Sequence, residues 1–311
     1  MEILLVEQGR QDTKSFHLAG IVPVAGQKLD FNFPWHDCMM PIAPDYLAVE
    51  SAVHECAAAG CETIWIVCHK EMQPLIRYRI GDWIEDPQTQ GHIKARYTKF
   101  PSEHLKRVPI YYVPVHPKDR DKRDCLSWSV LYGVMRAFHV SKLISKWVVP
   151  DRYYVSFPYG IYSTKMTRQI RREISSKKRV FLSHGGKTVA DGLHLGFTMD
   201  ANDFIMYRKN LRDLGTGQWT NSFWDEEART IKGTILPVEE RYSARYFDLD
   251  TVFGCATIEE ERKFDVGWYY DVSTWEGYCQ FLASEERKQI KRPYKMNYHE
   301  WNPIGQDRED E

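Results

Sequence analysis

The chain has 311 residues, of which 43% are hydrophobic and 27% are charged, and its formal net charge at pH 7 is -1. This composition is ordinary for a globular protein, and the near-zero net charge excludes a general electrostatic attraction to nucleic acid. The mean hydropathy of -0.52 and the lack of an apolar run of membrane-spanning length argue against a membrane protein.

The start of the chain and its cysteines both favour a reducing compartment. Met1–Glu7 lacks the basic start and the small-residue cleavage site of a signal peptide. The seven cysteines are odd in number and form no CxxC pair, which favours neither a disulfide framework nor a zinc ribbon. We therefore expect a cytoplasmic protein without a membrane partner.

The first half of the chain alternates apolar runs with amphipathic stretches. Residues 19–25 form an apolar run that ends at Gly26, which predicts a buried strand followed by a turn. The same reading predicts strands at 63–68 and 108–113, and helices at 46–59, from about residue 71, and at 126–138. Gly60 is the predicted stop of the first helix. Strand, helix and strand in this order predict a parallel crossover.

The second half of the chain is less regular. A strand is predicted within 147–157, with Pro150 marking its start because proline interrupts a central ladder. Residues 212–262 give the weakest pattern of the chain. The remaining predictions are a basic helix at 164–174, strands at 180–182, 193–199 and 268–270, and helices at 202–211 and 274–285, the last capped by Ser273.

Two separated segments carry a family resemblance. Ala19–Gly26, followed by Met40-Pro41-Ile42 and then Ala59–Val67, resembles the opening of sugar-nucleotide nucleotidyltransferases. Trp268–Tyr278 resembles the closing segment of the same family, with Ser273 where glycine is usual. Those enzymes share a GT-A-like α/β fold with many glycosyltransferases.

The resemblance implies a GT-A or Rossmann-like α/β fold, with a mostly parallel sheet flanked by helices and a less regular C-terminal insertion region. We expect one such domain over residues 1–311. Within it, residues 19–160 form a nucleotide-binding half, residues 161–290 form an acceptor-binding and sugar-binding half, and residues 291–311 form a polar tail.

The sequence departs from this family where the chemistry is decided. The family's phosphate loop carries an arginine and a proline-lysine pair, which are replaced here by Trp35, His36 and Asp37. The family's metal-binding aspartate falls at Pro158-Tyr159-Gly160, and Asp151 lies upstream on what is expected to be the wrong end of the strand. The resemblance retains Asp271, which implies a site for Mg²⁺ or Mn²⁺ with a single carboxylate.

The candidate site residues follow from these matches and departures. His36 and Asp37 are candidates for removing a proton from an acceptor hydroxyl, although a loop histidine satisfied by the local backbone explains the pattern equally well. Asp271 is the candidate metal ligand. The predicted nucleotide-sugar-binding residues are Pro23, Val24, Ala25, Gly26, Gln27, Lys28, His69, Arg120, Asp191 and His194. A helix-capping or surface role is the alternative for His69.

Three functions are compatible with this pattern. The leading hypothesis is a glycosyltransferase that moves a sugar from a nucleotide-sugar donor, expected to be a UDP-sugar, to a hydroxyl acceptor. Similarity to nucleotidyltransferase-like phage proteins implies a 5-hydroxymethyl-pyrimidine in phage DNA as the acceptor, and the basic stretch 287–295 with Tyr294 and Tyr298 suits such a DNA partner. The alternatives are a sugar-phosphate nucleotidyltransferase and a catalytically silent protein that binds nucleotide sugar.

Overall fold

The computed structural model describes residues 16–27, 37–87, 106–117, 119, 124–215, 219–227, 230–235 and 247–293. The strands in chain order are β1 Leu18–Pro23, β2 Pro41–Ala43, β3 Tyr46–Leu47, β4 Thr63–Cys68, β5 Trp83–Glu85, β6 Arg107–Pro114, β7 Arg152–Val155, β8 Gly160–Tyr162, β9 Phe181–Ser183, β10 Phe197–Met199, β11 Trp219–Asp225, β12 Thr230–Ile235, β13 Lys263–Asp265 and β14 Tyr269–Asp271.

The α-helices are distributed along the whole described chain. They are α1 Ala48–Ala59, α2 Gln73–Ile80, α3 Leu126–Ile144, α4 Lys165–Gln169, α5 Arg171–Ile174, α6 Ala201–Gly215, α7 Leu249–Phe253 and α8 Trp275–Ala283. Short 3-10 helices lie at Asp37–Met39, Lys146–Val148, Val189–Asp191, Glu260–Arg262 and Glu286–Gln289. In the described part of the chain, no helix is both long enough and apolar enough to cross a membrane.

An eight-stranded sheet organises the molecule, with the order β13-β9-β10-β7-β1-β4-β6-β5. Strands β7, β1, β4 and β6 run parallel to one another, whereas β10 is antiparallel to β7 and β5 is antiparallel to β6. From β1 the chain crosses to β4 on one side and later returns to β7 on the other. The carboxyl ends of these parallel strands therefore meet at one edge, with a switch point between β1 and β7.

Strand β1 is apolar because both of its faces are covered. All six of its residues are buried, as the continuous apolar run predicts. Gly20 permits a close approach of helix α1, since a Cβ atom at this position would lie 2.8 Å from the Cβ atom of Cys56. Helix α1 ends at Gly60, whose φ of 96° places it in the left-handed region that favours glycine. The predicted α/β fold with a mostly parallel sheet is confirmed.

Several predicted elements differ from those observed. The strand predicted within 147–157 is only Arg152–Val155, because Lys146–Val148 forms a 3-10 turn. The strand predicted at 193–199 is reduced to Phe197–Met199. The single basic helix predicted at 164–174 is two short helices that meet at Ile170, whose ψ of 13° departs from helical geometry.

The cap of helix α8 is Thr274, not the predicted Ser273. The Thr274 side chain accepts a hydrogen bond of 3.1 Å from the backbone N–H of Gly277. The Ser273 hydroxyl instead donates to the carboxylate of Asp271 at 2.6 Å. In the least regular region, β11 and β12 pair antiparallel and α7 follows them.

Glu55 of helix α1 is the centre of a buried polar network. Its side chain accepts hydrogen bonds from the hydroxyls of Tyr154, Ser156, Tyr162 and Thr167 at 2.6 to 3.2 Å. Burial raises the pKa of Glu55, and these four hydrogen bonds oppose that rise. The Tyr162 hydroxyl also accepts a hydrogen bond from the backbone N–H of Gly196. One carboxyl group thus connects helix α1 with β7, β8 and the segment before β10.

A second buried glutamate holds the last described segment against the same helix. Glu50 accepts hydrogen bonds from the guanidinium of Arg79 at 3.0 Å and from that of Arg292 at 3.2 Å. Both arginines also pair with Asp45. Because Glu50 is fully buried, these contacts tie residue 292 to the start of helix α1.

We expect the substitution Glu55→Ala to lower the free energy of unfolding by about 2–4 kcal/mol, because buried hydroxyls lose their acceptor and a cavity remains. Urea denaturation measures the change. Glu226→Ala, which removes an exposed carboxylate from the turn after β11, is the control and should change stability by less than about 0.5 kcal/mol. A similar small effect for both variants would contradict the role assigned to the Glu55 network.

Candidate functional site

A cleft of about 330 Å³ opens at the carboxyl edge of the central sheet, beside the switch point between β1 and β7. We refer to it as the carboxyl-end cleft. Its walls come from five separate parts of the chain: the loop after β1, the start of α3, the segment before β10, the start of α7 and the loop after β14. The residues that line it are Gly26, Gln27, Cys125, Leu126, Gly192, His194, Phe247, Asp248, Leu249, Asp250 and Ser273.

The loop after β1 is fixed through its backbone. The N–H groups of Val24 and Ala25 both donate to the carbonyl of Val67, at 2.8 and 3.1 Å. The carbonyl of Val24 accepts from the Tyr159 hydroxyl at 2.8 Å, and the carbonyl of Ala25 accepts from the Ser129 hydroxyl at 2.6 Å. Every one of these partners is buried, so the loop enters the cleft in a defined conformation.

Gly26 brings this loop against the start of helix α3. Its φ is 86°, and a Cβ atom would lie 2.5 Å from the carbonyl carbon of Cys125. Glycine is therefore required both by the backbone conformation and by the space available. The close approach places Gln27 at the mouth of the cleft, beside the first turn of the helix.

The first turn of α3 offers a favourable environment for an anion. The helix has 19 residues, and the side chain of its N-cap residue, Cys125, makes no capping hydrogen bond. The first-turn N–H groups of a helix and the positive end of its dipole stabilise negative charge at such a position. Because Cys125 and Leu126 line the cleft beside Gly26, this end of the helix faces the same space as the loop.

His194 and Asp271 form a pair next to the loop that follows β1. The Nδ1 atom of His194 lies 3.5 Å from the Oδ1 atom of Asp271, and its Nε2 atom lies 3.3 Å from the amide oxygen of Gln27. The imidazole is only 8% exposed and packs edge-on against the rings of Phe157 and Tyr159. It therefore bridges the β1 loop and the β14 carboxylate in one orientation.

The backbone of His194 is fixed on both sides. Its N–H donates to the Tyr269 hydroxyl at 3.1 Å. Its carbonyl lies so close to Gly160 that a Cβ atom there would be 2.0 Å away. Since Gly160 opposes Asp271 in the β8–β14 pair, the same strand pairing positions both members of the histidine-aspartate pair.

Asp271 is held in its ionised form. Partial burial alone would raise its pKa, but hydrogen bonding and charge from His194, together with hydrogen bonds from Ser273, lower it below the ordinary value. The Ser273 contacts are a backbone N–H donor at 2.9 Å and the hydroxyl at 2.6 Å. Asp271 is thus a carboxylate that remains charged at neutral pH beside the cleft.

A further acidic wall comes from the segment that leads into α7. Asp248 and Asp250 both line the cleft, and both are exposed. Asp250 accepts a hydrogen bond from the N–H of Thr251 at 2.6 Å. The cleft therefore combines carboxylates with a helix amino terminus. Carboxylates repel a bare phosphate, so this combination suits a phosphate that is accompanied by a cation.

Some of the predicted binding residues meet in this cleft. Gly26, Gln27 and His194 line the cleft. Asp271 is not among the lining residues, but its carboxylate lies 3.5 Å from the imidazole of His194. Pro23, Val24 and Ala25 are buried at the end of β1 and contribute the backbone that shapes the loop. Lys28, His36 and Arg120 lie outside the described residues.

Other predicted residues have different surroundings. His69 lies 3.2 Å from the carboxylate of Asp124, and its carbonyl accepts hydrogen bonds at the start of α2. The Asp191 side chain accepts from the N–H of Thr188 and so closes a 3-10 turn. Asp37 opens another 3-10 turn, where burial raises its pKa. None of these three is among the residues that line the carboxyl-end cleft.

Several residues that line the carboxyl-end cleft are not predicted from the sequence. Asp248 and Asp250 fall in the region whose pattern was weakest, and the start of α3 was predicted as a helix but not as part of a site. The two tyrosines Tyr159 and Tyr269 gave no signal, because their roles depend on contacts with residues far away in sequence. In the described residues, no group of three or more histidine, cysteine, aspartate or glutamate side chains converges as a ready metal site.

The chain is similar in fold to solved nucleotidyltransferase structures. A putative glucose-1-phosphate thymidylyltransferase from Bacillus anthracis, in complex with a sucrose, aligns with 90% of this chain and 98% of its own, at 11% identity and a TM-score of 0.52. An apo UDP-glucose pyrophosphorylase aligns with 88% of this chain and all of its own, at 14% identity and a TM-score of 0.49.

A UTP-bound enzyme from Acinetobacter baumannii, named UGPase, aligns with 90% of this chain and 95% of its own, at 13% identity and a TM-score of 0.48. By sequence, the chain matches no known family and no curated protein. The similarity to the thymidylyltransferase therefore establishes the fold, and it agrees with the resemblance noted at the two ends of the sequence.

We expect Gly26→Ala to destabilise the protein more than Gly267→Ala does. Both glycines have a positive φ, of 86° and 81°, so alanine at either position costs about 1–2 kcal/mol in backbone conformation. Only at Gly26 does the added Cβ atom overlap another backbone segment, which adds about 1–3 kcal/mol. Urea denaturation of the two variants checks the difference, and equal effects would contradict the close approach of the loop to α3.

The lowered pKa of Asp271 predicts a specific pH dependence of stability. The stabilising contribution of this carboxylate is present above its unfolded pKa and is lost as the pH falls through its lower folded pKa. The stability difference between the wild type and Asp271→Asn should therefore be retained above about pH 5 and shrink below about pH 4.

Urea denaturation across this acid range measures the effect. Ser273→Ala, which removes one of the two donors from Ser273, should weaken the same pH dependence without abolishing it. A difference that does not change with pH would contradict the charged state assigned to Asp271.

Proposed function

We propose that the protein is a sugar-phosphate nucleotidyltransferase that binds a nucleoside triphosphate and a sugar phosphate in the carboxyl-end cleft. One observation carries this proposal: the Gly26 loop, the start of α3 and His194, which pairs with Asp271, all line a single cleft. This cleft lies at the switch point of an α/β sheet, where such folds bind nucleotides. The similarity of the whole fold to a putative thymidylyltransferase supports the same function.

The Gly26 side of the cleft suits the phosphates. Gly26 lines the cleft together with Cys125 and Leu126, so a phosphate bound beside this loop would also lie near the first turn of a 19-residue helix. The positive end of the helix dipole adds to that attraction. Gln27 follows directly and offers an uncharged amide to the nucleotide or the sugar.

The reaction needs little covalent participation by the protein. A phosphate oxygen of the sugar phosphate attacks the α-phosphorus of the triphosphate, and a new phosphorus-oxygen bond forms. The bond between the α-phosphorus and the bridging oxygen breaks, so that pyrophosphate leaves with that electron pair. Positioning and charge stabilisation are therefore the main tasks of the site.

The donor chemistry of the cleft fits a divalent metal ion. Mg²⁺ prefers oxygen ligands and is commonly held by one or two carboxylates together with substrate phosphates. Asp271 supplies a charged carboxylate beside the cleft, and Asp248 and Asp250 are two further carboxylates that line it. When bound, such an ion would neutralise the charge that develops on the phosphates. Asp271 is the residue that we assign to hold it.

His194 and Gln27 position the substrate in this proposal. The Nδ1 side of the imidazole faces Asp271 at 3.5 Å, and its Nε2 side faces the amide of Gln27. Ring contacts with Phe157 and Tyr159 prevent the imidazole from turning away. A hydrogen-bonding group of the sugar phosphate would therefore be positioned by two side chains, His194 and Gln27, whose orientations are already fixed.

Glycosyl transfer from a nucleotide sugar is the second candidate. Its support is the loop in which Trp35, His36 and Asp37 replace the arginine and the proline-lysine pair of the nucleotidyltransferases. A UDP-sugar donor would use the same cleft. No described feature of the protein supports a DNA acceptor.

Release of pyrophosphate tests the primary proposal. The full chain is incubated with glucose 1-phosphate, Mg²⁺ and each nucleoside triphosphate in turn, and pyrophosphate and nucleotide sugar are measured. We expect both products in equal amounts with at least one triphosphate. Asp271→Asn should lower kcat/KM by about a hundredfold or more, because the metal ion loses its carboxylate ligand and the imidazole of His194 loses the carboxylate beside it.

Asp265→Asn removes an exposed carboxylate outside the cleft and should leave kcat/KM unchanged. If no triphosphate yields pyrophosphate, but nucleotide sugar is consumed when hydroxyl acceptors are present, the second candidate replaces the first. Binding of nucleotide sugar without either reaction would identify a silent binding protein and would refute both enzymatic functions.

A further inference from the structure

A second cavity, of about 260 Å³, lies at the amino ends of the parallel strands, opposite the carboxyl-end cleft. We refer to it as the amino-end cavity. Arg152 is the first residue of β7, Phe181 is the first residue of β9, and Arg262 directly precedes β13, so each stands at this edge of the sheet. The site proposed for nucleotide binding uses none of these residues.

Arg152 is a buried cation whose hydrogen bonds are incomplete. Its side chain is only 5% exposed, yet its Nε and Nη1 atoms have no acceptor among the residues that the structure describes. The Nη2 atom donates to the carbonyl of Lys177 at 2.5 Å, and the nearest carboxylate, that of Asp200, is 3.6 Å away. A buried guanidinium left in this state is costly unless acceptors are supplied.

The neighbouring carboxylates are already engaged. The Oδ1 atom of Asp200 accepts from the N–H groups of Asn202 and Asp203 at 2.8 and 3.0 Å, and so caps helix α6. Asp203 in turn accepts from the guanidinium of Arg179 at 3.2 Å and from the N–H of Asp200. These acids are therefore held by the start of α6 and do not satisfy the open nitrogens of Arg152.

The rest of the cavity is strongly basic. Lys177 and Lys178 are exposed at its edge, and Arg262 contributes a second guanidinium whose Nε atom is buried without a partner. The Nη1 atom of Arg262 pairs with Glu173 at 3.1 Å. Five cations and two carboxylates line the cavity, which leaves a clear excess of positive charge.

We propose that the amino-end cavity binds a small phosphorylated metabolite, whose phosphoryl oxygens accept hydrogen bonds from Arg152 and Arg262. Guanidinium groups match phosphate geometry because they present several N–H donors in a fixed plane. The exposed lysines add charge at the entrance. A volume of about 260 Å³ is several times the 30 Å³ or so of one water molecule, so an organic part has room beside the phosphoryl group.

Calorimetric titration of the full chain tests this site. The ligands are inorganic phosphate and a hexose 6-phosphate, with glucose and sodium chloride at matched ionic strength as controls. We expect saturable binding of both phosphates and none of glucose. Tighter binding of the hexose phosphate would show that the organic part contributes, and equal binding would show that the phosphoryl group alone is recognised.

Variants locate the binding. Arg152→Gln and Arg262→Gln should each weaken phosphate binding by about tenfold or more, because each removes charge-assisted hydrogen bonds. Lys178 lies at the exposed edge of the cavity, so its substitution should not affect folding. We expect Lys178→Gln to weaken phosphate binding by a smaller factor. Arg208→Gln removes a cation from an exposed face of α6 and is the control that should bind as the wild type does.

Asp271→Asn separates this site from the carboxyl-end cleft, since it should abolish nucleotidyl transfer and leave phosphate binding at the amino-end cavity intact. No saturable phosphate binding to the wild type would overturn the proposal. Unchanged affinity in Arg262→Gln and Lys178→Gln would overturn it too, even if Arg152→Gln failed to fold. Neither result would bear on the proposed nucleotidyl transfer.

Discussion

The carboxyl group of Glu55 is the contact on which the rest of the candidate site depends. It lies in the core and forms no ion pair with any described residue, and four hydroxyl groups donate hydrogen bonds to it instead. A buried carboxyl in such a position is tolerated only when its lone pairs are satisfied. The hydroxyls come from β7, β8 and α4, so the network fixes the positions of these elements relative to helix α1.

The network extends from the core to the cleft. Tyr162 bonds both to Glu55 and to the N–H of Gly196, two residues from His194. Gly196 is confined as well, since a Cβ atom there would lie 2.3 Å from the Tyr154 hydroxyl. Strand β8, which ends at Tyr162, also pairs with β14, and this pairing fixes the position of Asp271 opposite Gly160. A buried polar group in the first half of the chain thus positions both His194 and Asp271 in the second.

The sequence predicts the core of the fold well because local pattern and burial agree there. The runs at β1 and β4 are apolar on both faces, and Gly60 ends α1 as predicted. The local sequence pattern does not predict the structure where contacts with other residues determine it. Thr274, not Ser273, caps α8, because Ser273 is engaged with Asp271. Asp248 and Asp250 reach the cleft through the packing of α7, which no local pattern encodes.

Of the site residues, the sequence alone identifies those that lie next to a clear secondary-structure pattern. Gly26 is predicted because a buried strand must turn after it, and the structure adds the contact with Cys125 that makes glycine necessary. His194 has no such signal, since its surroundings are assembled from Gln27, Phe157 and Tyr159. Its inclusion relied on a family resemblance, which supplies the place of a residue but not its contacts.

The two ends of the central sheet differ in how each would bind a negatively charged group. At the carboxyl ends, Asp248 and Asp250 line the cleft together with a helix amino terminus, and Asp271 pairs with the cleft-lining His194, so a phosphate is favoured there when a metal ion accompanies it. At the amino ends, buried guanidinium groups with open donors face the cavity, so a phosphate would be held without a metal. The β7 strand begins at Arg152 and leads into the loop of Phe157 and Tyr159, and it therefore joins the two environments. Because the requirement for a metal differs between them, removal of divalent ions distinguishes one kind of phosphate binding from the other.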